Sequence, residues 1–293
     1  KSQGLTPGGS MYYVIKLLSA LMCLSPRPLR KLVAFVIGRL GWLVVNKRRK
    51  QMSIDNVLKS GLTSDPAQAA AIVKDSVYRF GPMLVEVLLF PRLTPEKIQA
   101  QVTFNGREHL TTALSYGKGV VLATAHSGNW ELLGAALAYE GFPLVAVVRK
   151  QNDAGADKFI NEYRTQAGMH VTYKTSVKEM IRLLGEGKIV GLLMDQDAGT
   201  DGIMLDFFNR PASVPQGPAA LARLKGAPIV PAFITALPDG THQAIIHPPV
   251  WVEKTADRDQ DIIQTTAKLN RIIEDHIRLY PSEWFWLHNR WKV

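Results

Sequence analysis

The stretch 119-GVVLATAHSGNWELLGAALAYEG-141 decides the fold. Gly119 to Ala125 is a dense apolar run, the pattern of a strand buried on both faces, and it breaks at His126-Ser127-Gly128-Asn129. From Trp130 apolar residues return at helical spacing. A buried strand, a tight glycine turn and a helix form the repeating seam of an α/β sheet. Ligands gather at such seams, where strand carboxyl ends meet helix N-termini. This seam carries His126 and, five residues on, Glu131 at the start of the helix.

The alternation continues on both sides. Strands are predicted at 142–149, 171–173, 189–194, 229–234 and 243–246, and helices at 157–167, 177–184, 219–225 and 259–280. Gly, Asp and Pro between 195 and 218 predict a loop. Upstream, 53–89 reads as helical, with 63-TSDP-66 as loop and N-cap signal before a helix at 67–79. Residues 91–95 read as a linker, 102–104 as a short strand and 108–115 as a helix. The expected fold is α/β, a mostly parallel central sheet flanked by helices.

Residues 11–45 are the most apolar segment, interrupted by Lys16, Arg27, Arg30, Lys31 and Arg39 and by Pro26 and Pro28. No uncharged run reaches the roughly 18 residues of a confident span. Two apolar helices split at the prolines, lying in a membrane surface with their cations snorkelling, are expected. A single span and a buried helical hairpin are the alternatives. The basic run 47-KRRKQ-51 follows, placed to meet anionic headgroups or to end a solvated helix. No small-residue cleavage site follows the apolar core, as a signal peptide requires. Residues 1–10, KSQGLTPGGS, read as a remnant added ahead of a natural Met11. The expected organisation is therefore this remnant, a membrane-associated helical segment at 11–50, and one α/β domain at 51–293.

The chain has 293 residues, 46% of them hydrophobic, and a net charge of +10. That charge favours anionic lipid, acidic proteins or nucleic acid as partners. No zinc finger, RNA-recognition motif or basic zipper is present, so nucleic acid is not expected. Cys23 is the only cysteine, which leaves no disulfide framework and no Cys-based metal site.

A histidine of ordinary pKa, about 6.5, can take a proton from a hydroxyl at neutral pH, and a carboxylate fixes its tautomer. Gly128 lets the chain fold back and bring Glu131 toward His126. Amides at the helix N-terminus suit an anion or a developing oxyanion. HSGNW lacks the first glycine of a GxSxG elbow, so base-activated direct transfer is expected rather than a covalent enzyme intermediate. A histidine and a capping glutamate with structural roles alone fit the same spacing. The segment 195-DQD-197 also matches the DxD of metal-dependent glycosyltransferases, although no nucleotide-binding signature accompanies it. HExxH is absent and the remaining histidines show no ligand spacing, so no metal and no cofactor is expected. Trp284, Trp286 and Trp291 near Arg290 are expected in the core, with a membrane interface as the alternative.

HSGNWELLG resembles the signature of the lipid A late acyltransferases, the lauroyl and myristoyl transferases. These share a looser His-x4-acidic pattern with the wider glycerolipid acyltransferases. The likeness covers most of the chain. Arg149, Asn152 and Arg164 fit the family's basic segment, Asp195-Gln196 its DQ pair, 214-VPQGPAALARLKGAPIVPAF-233 its helix-opening segment, and 281-PSEWFWLHNRWK-292 its tryptophan-rich ending. One departure is 207-FFN-209, where the family has glycine third; Asn tolerates positive φ, which preserves the turn.

The resemblance implies fatty acyl transfer from acyl carrier protein to a hydroxyl of a lipid A precursor or similar glycolipid, at the cytoplasmic face of the bacterial inner membrane. It implies a glycerolipid acyltransferase-like fold with an N-terminal membrane element. His126 becomes the general base and Glu131 its orienting partner. Ser127, Gly128, Asn129, Arg149, Asn152, Arg164, Asp195 and Gln196 become substrate-binding residues. Asn129 and local amides would polarise the thioester carbonyl, and Arg149 and Arg164 would bind phosphate or the oxyanion, unless they serve structural ion pairs. The partners implied are acyl carrier protein, an anionic glycolipid and the membrane surface. A glycosyltransferase and a non-enzymatic lipid-binding or scaffold protein are the competing readings.

Overall fold

The computed structural model describes residues 7–150 and 153–292. Five helices lead the chain: α1 (Pro7–Leu24), α2 (Arg27–Val44), α3 (Lys47–Lys59), α4 (Pro66–Tyr78) and α5 (Phe80–Leu88). The break between α1 and α2 falls at Ser25-Pro26, with Pro28 in the first turn of α2, where a missing N–H costs nothing. Asn46 and Asp65 cap α3 and α4 by accepting the backbone N–H of Arg49 and Ala67.

The α/β body follows as α6 (Pro95–Gln101), β1 (Val102–Asn105), α7 (Arg107–Ser115), β2 (Val120–Thr124), α8 (Trp130–Tyr139), β3 (Leu144–Val148), α9 (Ala154–Gln166) and β4 (His170–Tyr173). Next come α10 (Val177–Gly185), β5 (Ile189–Leu193), β6 (Ile203–Phe207), β7 (Arg210–Val214), α11 (Gly217–Lys225), β8 (Ile229–Ala236), β9 (His242–Ile246) and α12 (Arg258–Leu279). Seven strands form one sheet in the order β1-β9-β8-β2-β5-β3-β4. Its neighbours run parallel except the β8–β9 pair.

Strand alternation builds two cores. Val121, Ala123 and Ala125 of the central strand pack with Leu184, Leu221 and Ile273 from α10, α11 and α12. Val120 and Leu122 point the other way, onto Leu110, Leu133 and Phe159 from α7, α8 and α9. Trp284, Trp286 and Trp291 are buried in the first of these cores, which sets aside the membrane-interface alternative for them.

The predicted loop at 195–218 is corrected in part. It contains the antiparallel hairpin β6–β7, closed by the two-residue turn Phe208-Asn209 with φ of 52° and 54°. Two positive φ values mark a type I′ turn, whose twist matches the flanking strands. Asn209 adopts that geometry readily. Phe208 does not, and tertiary contacts hold it there: it is buried, and its N–H donates to Glu274 Oε1 at 2.9 Å. The predicted linker is a short 3-10 turn at Phe90–Arg92, and α6 begins on the Thr94-Pro95 cap signal.

The two N-terminal helices lie where the prolines predict, and α1 begins at Pro7, ahead of Met11. Their inner faces pack on α5 and α9. Backbones of α2 and α5 meet so closely that a Cβ on Gly81 would stand 1.9 Å from Ala34 O. Their outer faces expose Leu17, Leu21, Leu32, Phe35, Leu40 and Leu43. Among the described residues no helix is long and apolar enough to cross a membrane.

Candidate active site

The parallel register pairs Thr124 of β2 with Leu193 of β5. Two residues beyond each stand His126 and Asp195, so the register itself brings the two side chains together. His126 Nδ1–H donates to Asp195 Oδ1 at 2.8 Å, and Trp284 Nε1–H donates to Asp195 Oδ2 at 2.8 Å. The Asp195 side chain is 1% exposed and that of His126 20%. Burial pulls the imidazole pKa down, but the charge and hydrogen bond of Asp195, with the Glu131 charge, outweigh it and hold His126 above its ordinary value. Burial pushes Asp195 up, and its attraction to His126 and the hydrogen bonds from the imidazole, the Trp284 indole and the His126 backbone reverse this, so it stays ionised below its ordinary value.

The turn after β2 is tightly held. Gly128 has a φ of +61°, and a Cβ there would lie 2.1 Å from Ile234 O, so only glycine fits. The C-terminal segment pairs with the turn: Gly128 N–H donates to Glu283 O at 3.0 Å, and Phe285 N–H to His126 O at 3.1 Å. Ser127 Oγ hydrogen-bonds His276 Nε2 at 3.1 Å. His276 is buried and stacked on Phe233, and burial pulls its pKa down to about 3, leaving it neutral. Asn129 caps α8 by accepting Leu132 N–H at 3.0 Å, and its amide donates to Glu86 Oε2 at 2.7 Å. Glu86 Oε1 in turn accepts from His242 Nε2 at 2.9 Å.

Glu131 does not make the expected hydrogen bond to His126. Its carboxylate is gripped by Arg164, with Nε to Oε2 at 3.0 Å and a terminal nitrogen to Oε1 at 2.5 Å. Arg164 also donates to Asn161 Oδ1 at 2.7 Å. Glu131 sits in the first turn of α8 and its side chain turns to α9, whereas the strand register delivers Asp195 to the imidazole. Its charge still acts on His126. The Arg164 guanidinium is committed to this two-point pair, which is the ion-pair alternative the sequence left open.

Arg149 is exposed just beyond β3, and Gln196 is half-buried beside Asp195. Asn152 lies outside the described residues. Asp197 pairs with Lys292 Nζ at 2.9 Å and donates its N–H to His288 Nε2 at 3.1 Å. Two cavities flank the site. One, about 230 Å³, lies between α4–α5 and the start of α8, bordered by Arg79, Phe80, Glu86, Asn129, Trp130 and Glu283. The other, about 80 Å³ and mostly apolar, lies between the sheet and α8, bordered by Thr124, Trp130, Glu131, Gly134, Met169 and Gly191. Trp130 borders both, and its ring centroid is 4.9 Å from that of His126.

Sequence reasoning placed Asp195 among the substrate-binding residues, in contact with the catalytic site or in loop hydrogen bonding, without pairing it with His126, and gave Trp284, Glu86 and His242 no place at the site. The usable signal was the DQ pair at a strand end, but its meaning depends on β5 lying beside β2.

The profile of the bacterial lipid A biosynthesis acyltransferase family matches residues 7–293. A phosphatidylinositol mannoside acyltransferase from Mycolicibacterium smegmatis is 25% identical over 225 residues, 75% of this chain and 72% of that protein. A lipid A biosynthesis lauroyltransferase from Escherichia coli K12 is 28% identical over 191 residues, 64% of this chain and 61% of that protein. The crystal structure of the 1-acyl-sn-glycerophosphate acyltransferase PlsC from Thermotoga maritima aligns with a TM-score of 0.38 at 14% identity, over 91% of this chain and 97% of that one, too loosely to bear on the site. These relatives lend the glycosyltransferase reading no support, and both carboxylates of the DQD segment have protein partners. The chain is an acyltransferase and belongs to the bacterial lipid A biosynthesis acyltransferase family.

Proposed function

We propose that this enzyme moves a fatty acyl chain from acyl carrier protein thioester to a hydroxyl of an anionic glycolipid, with His126 as general base. The observation that carries this reading is the partly exposed His126 imidazole held through Nδ1 by a buried carboxylate, just ahead of the N-terminus of α8. With its proton on Nδ1, the imidazole offers the Nε2 lone pair. Nε2 takes the proton of the acceptor hydroxyl as its oxygen attacks the thioester carbonyl. The N-terminal amides of α8 stabilise the tetrahedral oxyanion. Collapse breaks the carbon–sulfur bond, and the imidazolium returns its proton to the departing thiol, so ester and free carrier protein leave together. Asp195 holds the tautomer and stabilises the transient imidazolium. Glu131 adds charge and, through Arg164, anchors the first turn of α8 to α9.

The charge of +10 favours an acidic carrier protein and an anionic acceptor. The outward apolar face of α1 and α2, bordered by Arg27, Lys31 and the 47-KRRKQ-51 run, supports attachment to an anionic membrane surface, the cytoplasmic face of the bacterial inner membrane. Relatives named for phosphatidylinositol mannoside as well as for lipid A support a glycolipid acceptor in the wider sense.

The test is incubation of purified protein with acyl carrier protein thioester and, separately, a tetra-acylated lipid A precursor or a phosphatidylinositol mannoside. Mass spectrometry is expected to find one acceptor heavier by one acyl chain, together with free carrier protein. Wild-type rates in His126→Ala would sink the mechanism.

A further inference from the structure

The Asp195 carboxylate has two oxygens and a separate donor on each. Oδ1 accepts from His126 and Oδ2 from the Trp284 indole, both at 2.8 Å. Terminal carboxylate torsions are soft and roughly two-fold, so one hydrogen bond alone leaves the group free to rock. We propose that Trp284 is a positioning residue for acyl transfer, its indole N–H fixing the Asp195 carboxylate in the orientation that His126 requires. This rests on the reading of His126 as the base.

Three observations support the assignment. Trp284 is 1% exposed, so its N–H stays with the carboxylate in a site closed to solvent, where an unmet Oδ2 would carry the full desolvation cost. The other tryptophans of the same cluster are used differently: Trp286 and Trp291 donate to the backbone carbonyls of Pro281 and Phe207 at 2.7 and 3.2 Å. The backbone on either side of Trp284 also grips the catalytic turn, through Glu283 O to Gly128 and Phe285 N–H to His126 O. One short segment therefore sets the position of both members of the pair.

The charges around the pair leave the carboxylate oxygen to Trp284. His288 Nε2 is taken by the Asp197 N–H, and Lys292 pairs with Asp197. Arg290 is fully buried and attracted to Asp195 and Asp197, but it donates to Ser213 O at 2.8 Å. From α8 Glu131 acts on His126 by charge, and from α12 the neutral His276 reaches it only through Ser127. The Trp284 N–H also helps to hold Asp195 ionised.

Trp284→Phe keeps a ring in the core and deletes the N–H. The expected result is a fall in kcat on the order of tenfold or more, with KM for the acyl donor changed less than about twofold. The acid limb of the kcat profile is expected to move up by several tenths of a pH unit, since a less stabilised carboxylate holds the His126 proton more tightly. Trp291→Phe, cut from the same cluster, is expected to lower the thermal midpoint comparably and leave that limb in place. An unmoved limb in Trp284→Phe, or an equal move in Trp291→Phe, overturns the proposal. A second measurement on the unmodified protein needs no variant to fold: the Trp284 indole N–H resonance is expected to inflect at the pH of the acid limb. A flat indole resonance there also overturns it. Undiminished transfer by His126→Ala would instead overturn the base assignment, so the two failures are distinguishable.

Discussion

His126 and Asp195 stand 69 residues apart in the chain and 2.8 Å apart in the fold. The pair is made by two adjacent parallel strands ending in register, not by the local His-x4-Glu spacing. Asp195→Asn keeps the shape of the side chain but presents the wrong hydrogen-bonding group to Nδ1. A fall in kcat on the order of 10³-fold is expected, with an unchanged circular dichroism spectrum. Steady-state kinetics returning kcat within tenfold of wild type would reject Asp195 as the orienting partner.

Glu131 and Arg164 are 15% and 10% exposed and joined at two points. Removing either leaves the other charged and poorly solvated. Glu131→Ala and Arg164→Ala are each expected to cost about 3–5 kcal/mol in urea unfolding. Glu131→Gln combined with Arg164→Met should recover most of that loss. A cycle in which the two single costs simply add would rule out a tight pair.

Two left-handed glycines of similar φ give a contrast. Gly128→Ala puts a methyl 2.1 Å from Ile234 O, whereas Gly141, at φ +86°, has open space around its Cβ position. Gly128→Ala is expected to cost more than about 2 kcal/mol and to abolish transfer, and Gly141→Ala about 1 kcal/mol with transfer retained. Equal effects at the two sites, in melting and in turnover, would contradict the close approach at the catalytic turn.

Acid should loosen this protein through its buried histidines, starting near pH 6.5. Burial pulls His276 down to about 3 and His288 to about 4. The unfolded chain takes protons at these histidines near the ordinary value of about 6.5, and the folded chain does not. Their contribution to stability is full above about 6.5 and declines as pH falls toward 4 and 3, by about 1.4 kcal/mol per unit for each. His126 opposes this: its raised pKa makes its pair stabilising below about 6.5, and that contribution is lost as pH rises through the raised value. His247, also pulled down by burial, adds to the fall, and Glu283, pushed up by burial, opposes it with His126. The large shifts are those of His276 and His288, so the urea midpoint is expected to drop between pH 7 and pH 4.5. A flat or rising midpoint would contradict this balance.

The outer face of α2 can be tested for membrane contact. Leu32 and Leu40 are 57% and 54% exposed, and charges there disturb no buried contact. Wild-type protein is expected to sediment with anionic vesicles, more weakly as salt is raised, and Leu32→Glu with Leu40→Glu to remain in the supernatant with an unchanged melting curve. Equal sedimentation of the two proteins would place the contact elsewhere.

Much of this molecule follows from local pattern. Apolar runs of five to seven residues, helical spacing after Trp130, and the caps at Asp65 and Thr94 mark most elements of the α/β body. Proline placement separates α1 from α2. The HSGNWE turn is legible too, because a glycine, a capping asparagine and an acidic first turn are local features. The hairpin hidden in 195–218 was not, since Phe208 takes its positive φ from burial and from Glu274, contacts that lie far along the chain. Nor was the partner of His126. A strand's neighbours in a parallel sheet are chosen by how distant segments pack, and no periodicity records that β5 lies between β2 and β3. From the sequence came a base at a strand end with a carboxylate nearby in the chain. Tertiary structure gave Glu131 to Arg164 and Asp195 to His126, and set Trp284 behind it, because hydrogen bonds form between neighbours in space.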